Sequence, residues 1–148
     1  MKMVESINAS KEISAPLDRV WNIISNVDDD EPLYWQDLNA VFYNTSKKGN
    51  IVEREVTGGL RNLKGRQTLV LYPKKAIELT LTEGRMIGIR IITPIPSRSD
   101  NEAITTRVNV SWDIKLSDNF PLLFRGVVRE RIAEATEEAI DRIARAVQ

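Results

Sequence analysis

The chain contains no cysteine and no histidine. The first absence removes disulfides, thiolate nucleophiles and Cys-ligated zinc or iron–sulfur sites together. The second removes Ser-His and Cys-His dyads, imidazole metal ligands and any side chain that titrates near neutrality at its ordinary pKa. Catalysis would have to run on carboxylates, Lys, Arg, Tyr or polarised water. Net charge is missing too: 21 Lys plus Arg balance 21 Asp plus Glu, so no overall field steers the protein toward nucleic acid or an anionic bilayer. Residues 1–14 hold no continuous apolar run and read as neither a signal peptide nor a membrane span. A cytoplasmic protein without stable membrane insertion is the default expectation. Asn8-Ala9-Ser10 and Asn44-Thr45-Ser46 match the glycosylation pattern, but without a secretion signal they carry no weight. No linker, low-complexity stretch or internal repeat interrupts the 148 residues, so 1–148 reads as one domain with one core.

The order of elements is more informative. The first dozen or so residues read as a strand, and Ser14-Ala15-Pro16 gives a helix start because proline fits the first turn, where its missing N–H costs nothing. Leu17, Val20, Trp21 and Ile24 follow at helical spacing on one stripe. Asp28-Asp29-Asp30-Glu31 precedes Pro32, Leu33, Tyr34, Trp35 and Leu38, which reads as acidic residues at the positive end of a second short helix. The run lacks the glycine and distal glutamate of a calcium loop, and no metal site is assigned.

From residue 39 to 115 the pattern becomes strands divided by Gly49-Asn50, Gly58-Gly59, Pro73-Lys74, Glu83-Gly84 and the stretch 94–101. These turns define about six strands, or about seven with the first, and the short connections favour antiparallel neighbours. Ile104, Thr106, Val108, Val110, Trp112 and Ile114 share one face of the last strand. After Pro121 apolar residues recur at helical spacing through Phe124, Val128, Ile132, Ala135, Ala139, Ile143 and Val147, in a helix of roughly 40 Å. The expected fold class is α+β: a seven-stranded curved antiparallel sheet gripping the long C-terminal helix, with two short helices between strands one and two. A strongly bent sheet meets such a helix at its ends and leaves a cavity at the middle, where ligands bind. Gly65 and Gly88, inside strand-like runs, are the expected bend or bulge positions.

Several motifs fall in a familiar order: Ile13-Ser14-Ala15-Pro16 with Val20-Trp21, then Trp35, Gly84 followed by Gly88, Thr106-Arg107-Val108 with Trp112, and the amphipathic C-terminal helix. Over nearly the full chain this resembles the START-like superfamily, most closely the polyketide cyclase/dehydrase and lipid-transport family. The resemblance implies a helix-grip fold with a hydrophobic tunnel, whose relatives bind lipids, sterols, quinones or polyketides and only sometimes catalyse. Arg90 departs from that pattern, since relatives often carry an aromatic residue there. An inward arginine favours a carboxylate or phosphate head group over a wholly apolar ligand.

The resemblance places Tyr34 and Trp35 near the cavity mouth; both also suit core anchors of the short helix. Trp112 and Val108 lie on the apolar face of the last strand, where they either line the cavity or simply pack. Phe124, Val127, Val128 and Arg131 occupy the half of the terminal helix that covers the cavity in this architecture. Arg54 shares a parity with Val52 and Val56, so an inward parity would carry it inward. The alternative puts Arg54, Arg66 and Arg90 on the solvent face, paired with Glu53, Glu55 or Glu78. Around Arg90 the two parities compete, Ile87, Ile89 and Ile91 against Met86, Gly88, Arg90 and Ile92. With Tyr72, these residues complete the candidate ligand set.

No catalytic residue and no cofactor is assigned. The expected partner is a small hydrophobic or amphipathic ligand, carried or sensed by a monomer or weak homodimer. One alternative is a cyclase or aromatase in which Arg90, Arg66, Tyr72 or Tyr34 polarises a carbonyl; another is a protein-interaction module using the outer sheet or cavity mouth.

Overall fold

The computed structural model describes residues 3–26, 41–58, 63–84, 86–98, 104–116 and 122–147. The elements run β1 (Met3–Ile13), α1 (Leu17–Ile24), β2 (Val41–Lys48), β3 (Ile51–Gly58), β4 (Leu63–Tyr72), β5 (Ala76–Glu83), β6 (Met86–Arg98), β7 (Ile104–Leu116) and α2 (Leu122–Ala146). The seven strands form one antiparallel sheet in the order β1-β7-β6-β5-β4-β3-β2. Every neighbour is sequential except β1, which closes on β7, so both ends of the chain meet at one side of the sheet. The expected second short helix falls on residues outside the described set.

Period-2 alternation selects the inner face. In β7, Thr106, Val108, Val110, Trp112, Ile114 and Leu116 are buried, while Ile104, at the strand's start, is 58% exposed. The long helix answers with Val128, Ile132, Ala135, Ala139, Ile143 and Val147, all buried, and packs chiefly along β1 and more sparsely against α1 and β7. In α1, Val20 and Ile24 are buried and Trp21 packs partly buried against the core, as its stripe predicts. Pro16 stands one residue before the helix, and its carbonyl accepts from the Arg19 and Val20 N–H groups.

Two features differ from the reading of the sequence. The stretch 94–101 is not a turn from its beginning: β6 continues through Pro94 and Pro96 to Arg98, opposite Val108, Thr106 and Ile104. Pairing with β5 ends at Ile92, so beyond it β6 has, among the described residues, a strand neighbour on one side only. A proline nitrogen facing the open side of such an edge removes no ladder bond. The competing parities of β6 resolve in favour of Arg90 and Ile92, which are buried, whereas Ile87, Ile89 and Ile91 occupy the outer face, half-buried.

The sheet departs from regular pairing near the expected glycines. The β4–β5 register shifts between Arg66 and Gln67, next to Gly65, and an extra residue at such a shift bends the strand. Gly88 adopts φ +152°, and a Cβ there would meet the backbone of Asp113 and Ile114 in β7. A second register shift in β2 falls between Tyr43 and Ser46, where Asn44 takes φ 51°.

Candidate functional site

Residues paired across an antiparallel sheet project to the same face, so the register traces the inner wall strand by strand. The side facing α2 is fixed by Trp112, whose indole N–H donates to Thr136 Oγ1 of α2 at 3.0 Å. From Trp112 one row runs through Arg90, Leu79 and Leu69 to Val52. The adjacent row runs from Ile114 through Gly88, Leu81 and Gln67 to Arg54.

These rows combine apolar and polar groups. Val52, Leu69, Leu79 and Leu81 are buried, and so are Arg54 (4% exposed), Gln67 (8%) and Arg90 (5%). A guanidinium is costly to remove from water without compensating contacts, and each arginine is held by specific ones. Arg54 stacks 3.7 Å from the Phe42 ring centroid and donates its Nε–H to Gln67 Oε1 at 3.0 Å. Arg90 lies over Trp112, 5.4 Å from the ring centroid. Both arginines have further interactions besides these. Because Arg54 leans toward β2 and Arg90 toward β7, the two cations sit at opposite sides of a leucine-lined middle, three strands apart, or about 14 Å at the usual strand spacing.

Of the candidate ligand residues, the structure gathers Arg54, Arg90, Val108 and Trp112 on the inner wall and buries Val128 on the facing helix. Met86 is partly buried against the core. Arg66, Tyr72, Val127 and Arg131 do not join them. Arg66 and Tyr72 have the opposite parity to Gln67 and Leu69 and are exposed. Val127 and Arg131 each precede by one residue the buried positions Val128 and Ile132, which turns them out of the packed stripe of α2, and Val127 is 49% exposed. Phe124 lies in α2, but its side chain, like Tyr34 and Trp35 as a whole, is outside the described residues. The expected solvent-face pairing therefore holds in position for Arg66 alone, which lies opposite Glu55 and Glu83.

Three inner residues were not anticipated: Gln67, Phe42 and Thr136. Gln67 left a signal, since it shares a parity with Leu69 and Leu71 and is the one polar member of that alternation. Thr136 follows Ile132 by one helical turn and sits in the apolar stripe.

Among the described residues no three metal-ligating side chains come together, and no helix is long and apolar enough to cross a membrane. The buried polar side chains there are Arg54, Gln67, Arg90, Thr105, Thr106 and Thr136, with no carboxylate, lysine or tyrosine among them.

No family model matches the sequence, and no curated protein matches it. Solved structures do match in fold. A protein from Thermus thermophilus, TTHA0849, aligns with a TM-score of 0.74 at 15% identity, over 97% of this chain and 97% of that one. A START superfamily protein from Mycobacterium smegmatis aligns at 0.68 and 12% identity, over 97% and 99%. Norcoclaurine synthase from Thalictrum flavum, in complex with dopamine and hydroxybenzaldehyde, aligns at 0.65 and 14% identity, over 99% and 87%. With its sheet order, its closing β1–β7 pair and its terminal helix, the chain has the START-like helix-grip fold.

Proposed function

We propose that this protein binds a small hydrophobic or amphipathic molecule between the inner wall of the sheet and α2, as a carrier or sensor. The observation that carries this reading is the composition of the wall: leucines interleaved with the buried, specifically oriented polar groups Arg54, Gln67 and Arg90. A core serving stability alone has little use for such groups, because a buried ion pair or polar network is commonly matched or exceeded in stability by an apolar packing of equal volume. Ligand sites, in contrast, combine an apolar lining with a few placed polar groups. Norcoclaurine synthase, solved with two small aromatic molecules, shares the fold, which supports the same use here. A lipid, quinone or polyketide-like molecule suits the wall's combination of leucines and a few polar groups.

The cyclase or aromatase reading finds less support. Of the groups offered to polarise a carbonyl, Arg90 is on the inner wall, Arg66 and Tyr72 are exposed, and Tyr34 lies outside the described residues. Binding is tested by Nile red fluorescence and by native mass spectrometry of protein purified from its own host. Enhanced, blue-shifted emission and a bound mass released on denaturation are expected; neither signal at micromolar protein would overturn the reading.

A further inference from the structure

Two hairpins at one end of the sheet carry a charge that the chain as a whole lacks. Residues 41–52 and 63–77 contain no aspartate or glutamate, and their turns present Lys47, Lys48, Lys74 and Lys75, all exposed. The register of Ile51 with Val70 sets the β2–β3 turn beside the β4–β5 turn, and the Leu71 N–H donates to the Asn50 carbonyl at 2.8 Å, holding one tip against the other. Glu53 and Glu78 stand back from the tips, two residues or about 7 Å along their strands. Lys74 meets Asp18 of α1 at 2.8 Å, but both side chains are more than half exposed, so water weakens the pair. Lys47 has an interaction of its own; Lys48 and Lys75 make no ion pair among the described residues. The turn Tyr72-Pro73-Lys74-Lys75 closes through the Lys75 N–H and the Tyr72 carbonyl, with Lys74 at φ 59°. Glycine suits that third place best and lysine is strained there, so the tip keeps a charge that stability alone does not favour. Beside the lysines the surface is apolar: Lys48, Ile51, Val70 and Tyr72 share the outer face, with Ile51 46% and Tyr72 45% exposed.

We propose that the paired tips of the β2–β3 and β4–β5 hairpins dock on the surface of an anionic lipid bilayer, the lysines against the head groups and Ile51 and Tyr72 in the interfacial layer. Such a surface offers both partners at once, a negative potential for lysine and a boundary zone that accepts aromatic and aliphatic side chains. A nucleic acid duplex matches the charge but gives Ile51 nothing to enter. The docking is peripheral and does not depend on the pocket, because vesicle binding is read without any ligand inside the protein.

Co-sedimentation at low salt, with vesicles of phosphatidylserine and phosphatidylcholine in equal parts and with vesicles of phosphatidylcholine alone, tests this. Binding to the anionic vesicles should exceed binding to the neutral ones at least about tenfold and should fall steeply in 1 M salt, where the screening length is about 3 Å. Equal binding to both, or binding to neither, would overturn the proposal. Lys48→Gln with Lys75→Gln should weaken anionic binding roughly 25-fold, at about fivefold for each lysine near the surface. Lys64→Gln with Lys115→Gln removes the same charge from the opposite ends of β4 and β7 and should change binding less than about threefold. Equal loss in the two double variants would mean that net charge, and not these tips, governs attachment, and would overturn the assignment. Ile51→Ser with Tyr72→Ser, at unchanged charge, should weaken binding about tenfold; no effect would remove the apolar contact and with it the proposed seat. Preference for a duplex oligonucleotide over the anionic vesicles would assign the tips to nucleic acid and overturn the proposal.

Discussion

Trp112 donates its indole N–H to the Thr136 hydroxyl at 3.0 Å, and this bond, between side chains 4% and 0% exposed, fastens β7 to the middle of α2. Thr136 passes the chain on by donating to the Ile132 carbonyl at 2.7 Å, so its one hydroxyl both accepts and donates. Thr136→Val preserves the shape but leaves the buried indole N–H without its acceptor, at an expected cost of about 1–3 kcal/mol. Thr136→Ser keeps the hydroxyl and loses one methyl, at about 1 kcal/mol. Urea unfolding followed by tryptophan fluorescence checks the order. A Val variant as stable as the Ser variant would remove this bond from the account of how α2 is held.

Glycines 88 and 126 should respond to the same substitution with opposite sign. At Gly88 the backbone has φ +152°, and an added Cβ would stand 2.9 Å from Ile114 Cα and 3.1 Å from the Asp113 carbonyl carbon. Both obstacles are backbone of the paired strand, which cannot step aside without breaking the ladder. Gly88→Ala is expected to cost about 2–4 kcal/mol. Gly126 lies within α2 with nothing inside 4 Å of its Cβ position, and Gly126→Ala should stabilise the protein by about 0.5–1 kcal/mol. Thermal unfolding of the two variants beside the parent protein decides the signs.

The architecture was legible because each element states its period. Alternation in 104–116 and helical spacing after Pro121 named the two surfaces that pack, and Gly65 and Gly88 stand where the sheet departs from regular geometry. The wall was harder to read. In β6 both parities are apolar enough to be buried, and what places Arg90 inward is its pairing with Trp112 and Leu79, information carried by other strands. The prolines at 94 and 96 read as punctuation because sequence alone does not show where β5 stops pairing. Gln67 was overlooked for a different reason: it gains meaning only from Arg54, its partner on the neighbouring strand.

Thr106 makes a similar argument at the other end of the core. Its hydroxyl, fully buried, donates to the Ala15 carbonyl at 2.8 Å, and this carbonyl belongs to the turn that leads β1 into α1. Thr106→Val removes that donor and leaves a buried carbonyl unsatisfied, for an expected loss of about 1–3 kcal/mol. Since the bond anchors the entry to α1, the effect should also be local. Amide exchange at Val20 and Ile24 is expected to accelerate more than exchange in the centre of β7. Uniform acceleration across the domain would show that the bond supports the whole core rather than the seating of α1.

Among the described residues, two ion pairs tie α2 to β1, and their burial ranks them. Lys11 Nζ meets Asp141 Oδ1 at 2.8 Å with both side chains nearly half exposed, whereas Arg129 Nε meets Glu5 Oε2 at 3.0 Å with Glu5 only 18% exposed. Exposed pairs contribute about 0.2–1 kcal/mol, because water screens the attraction and two long side chains lose freedom. Double-mutant cycles should therefore place Lys11–Asp141 near the bottom of that range and Arg129–Glu5 near the top. In 1 M salt the screening length falls to about 3 Å, so the first coupling should vanish while part of the second survives. Equal couplings, or equal loss in salt, would mean that the reduced exposure of Glu5 does not strengthen its pair.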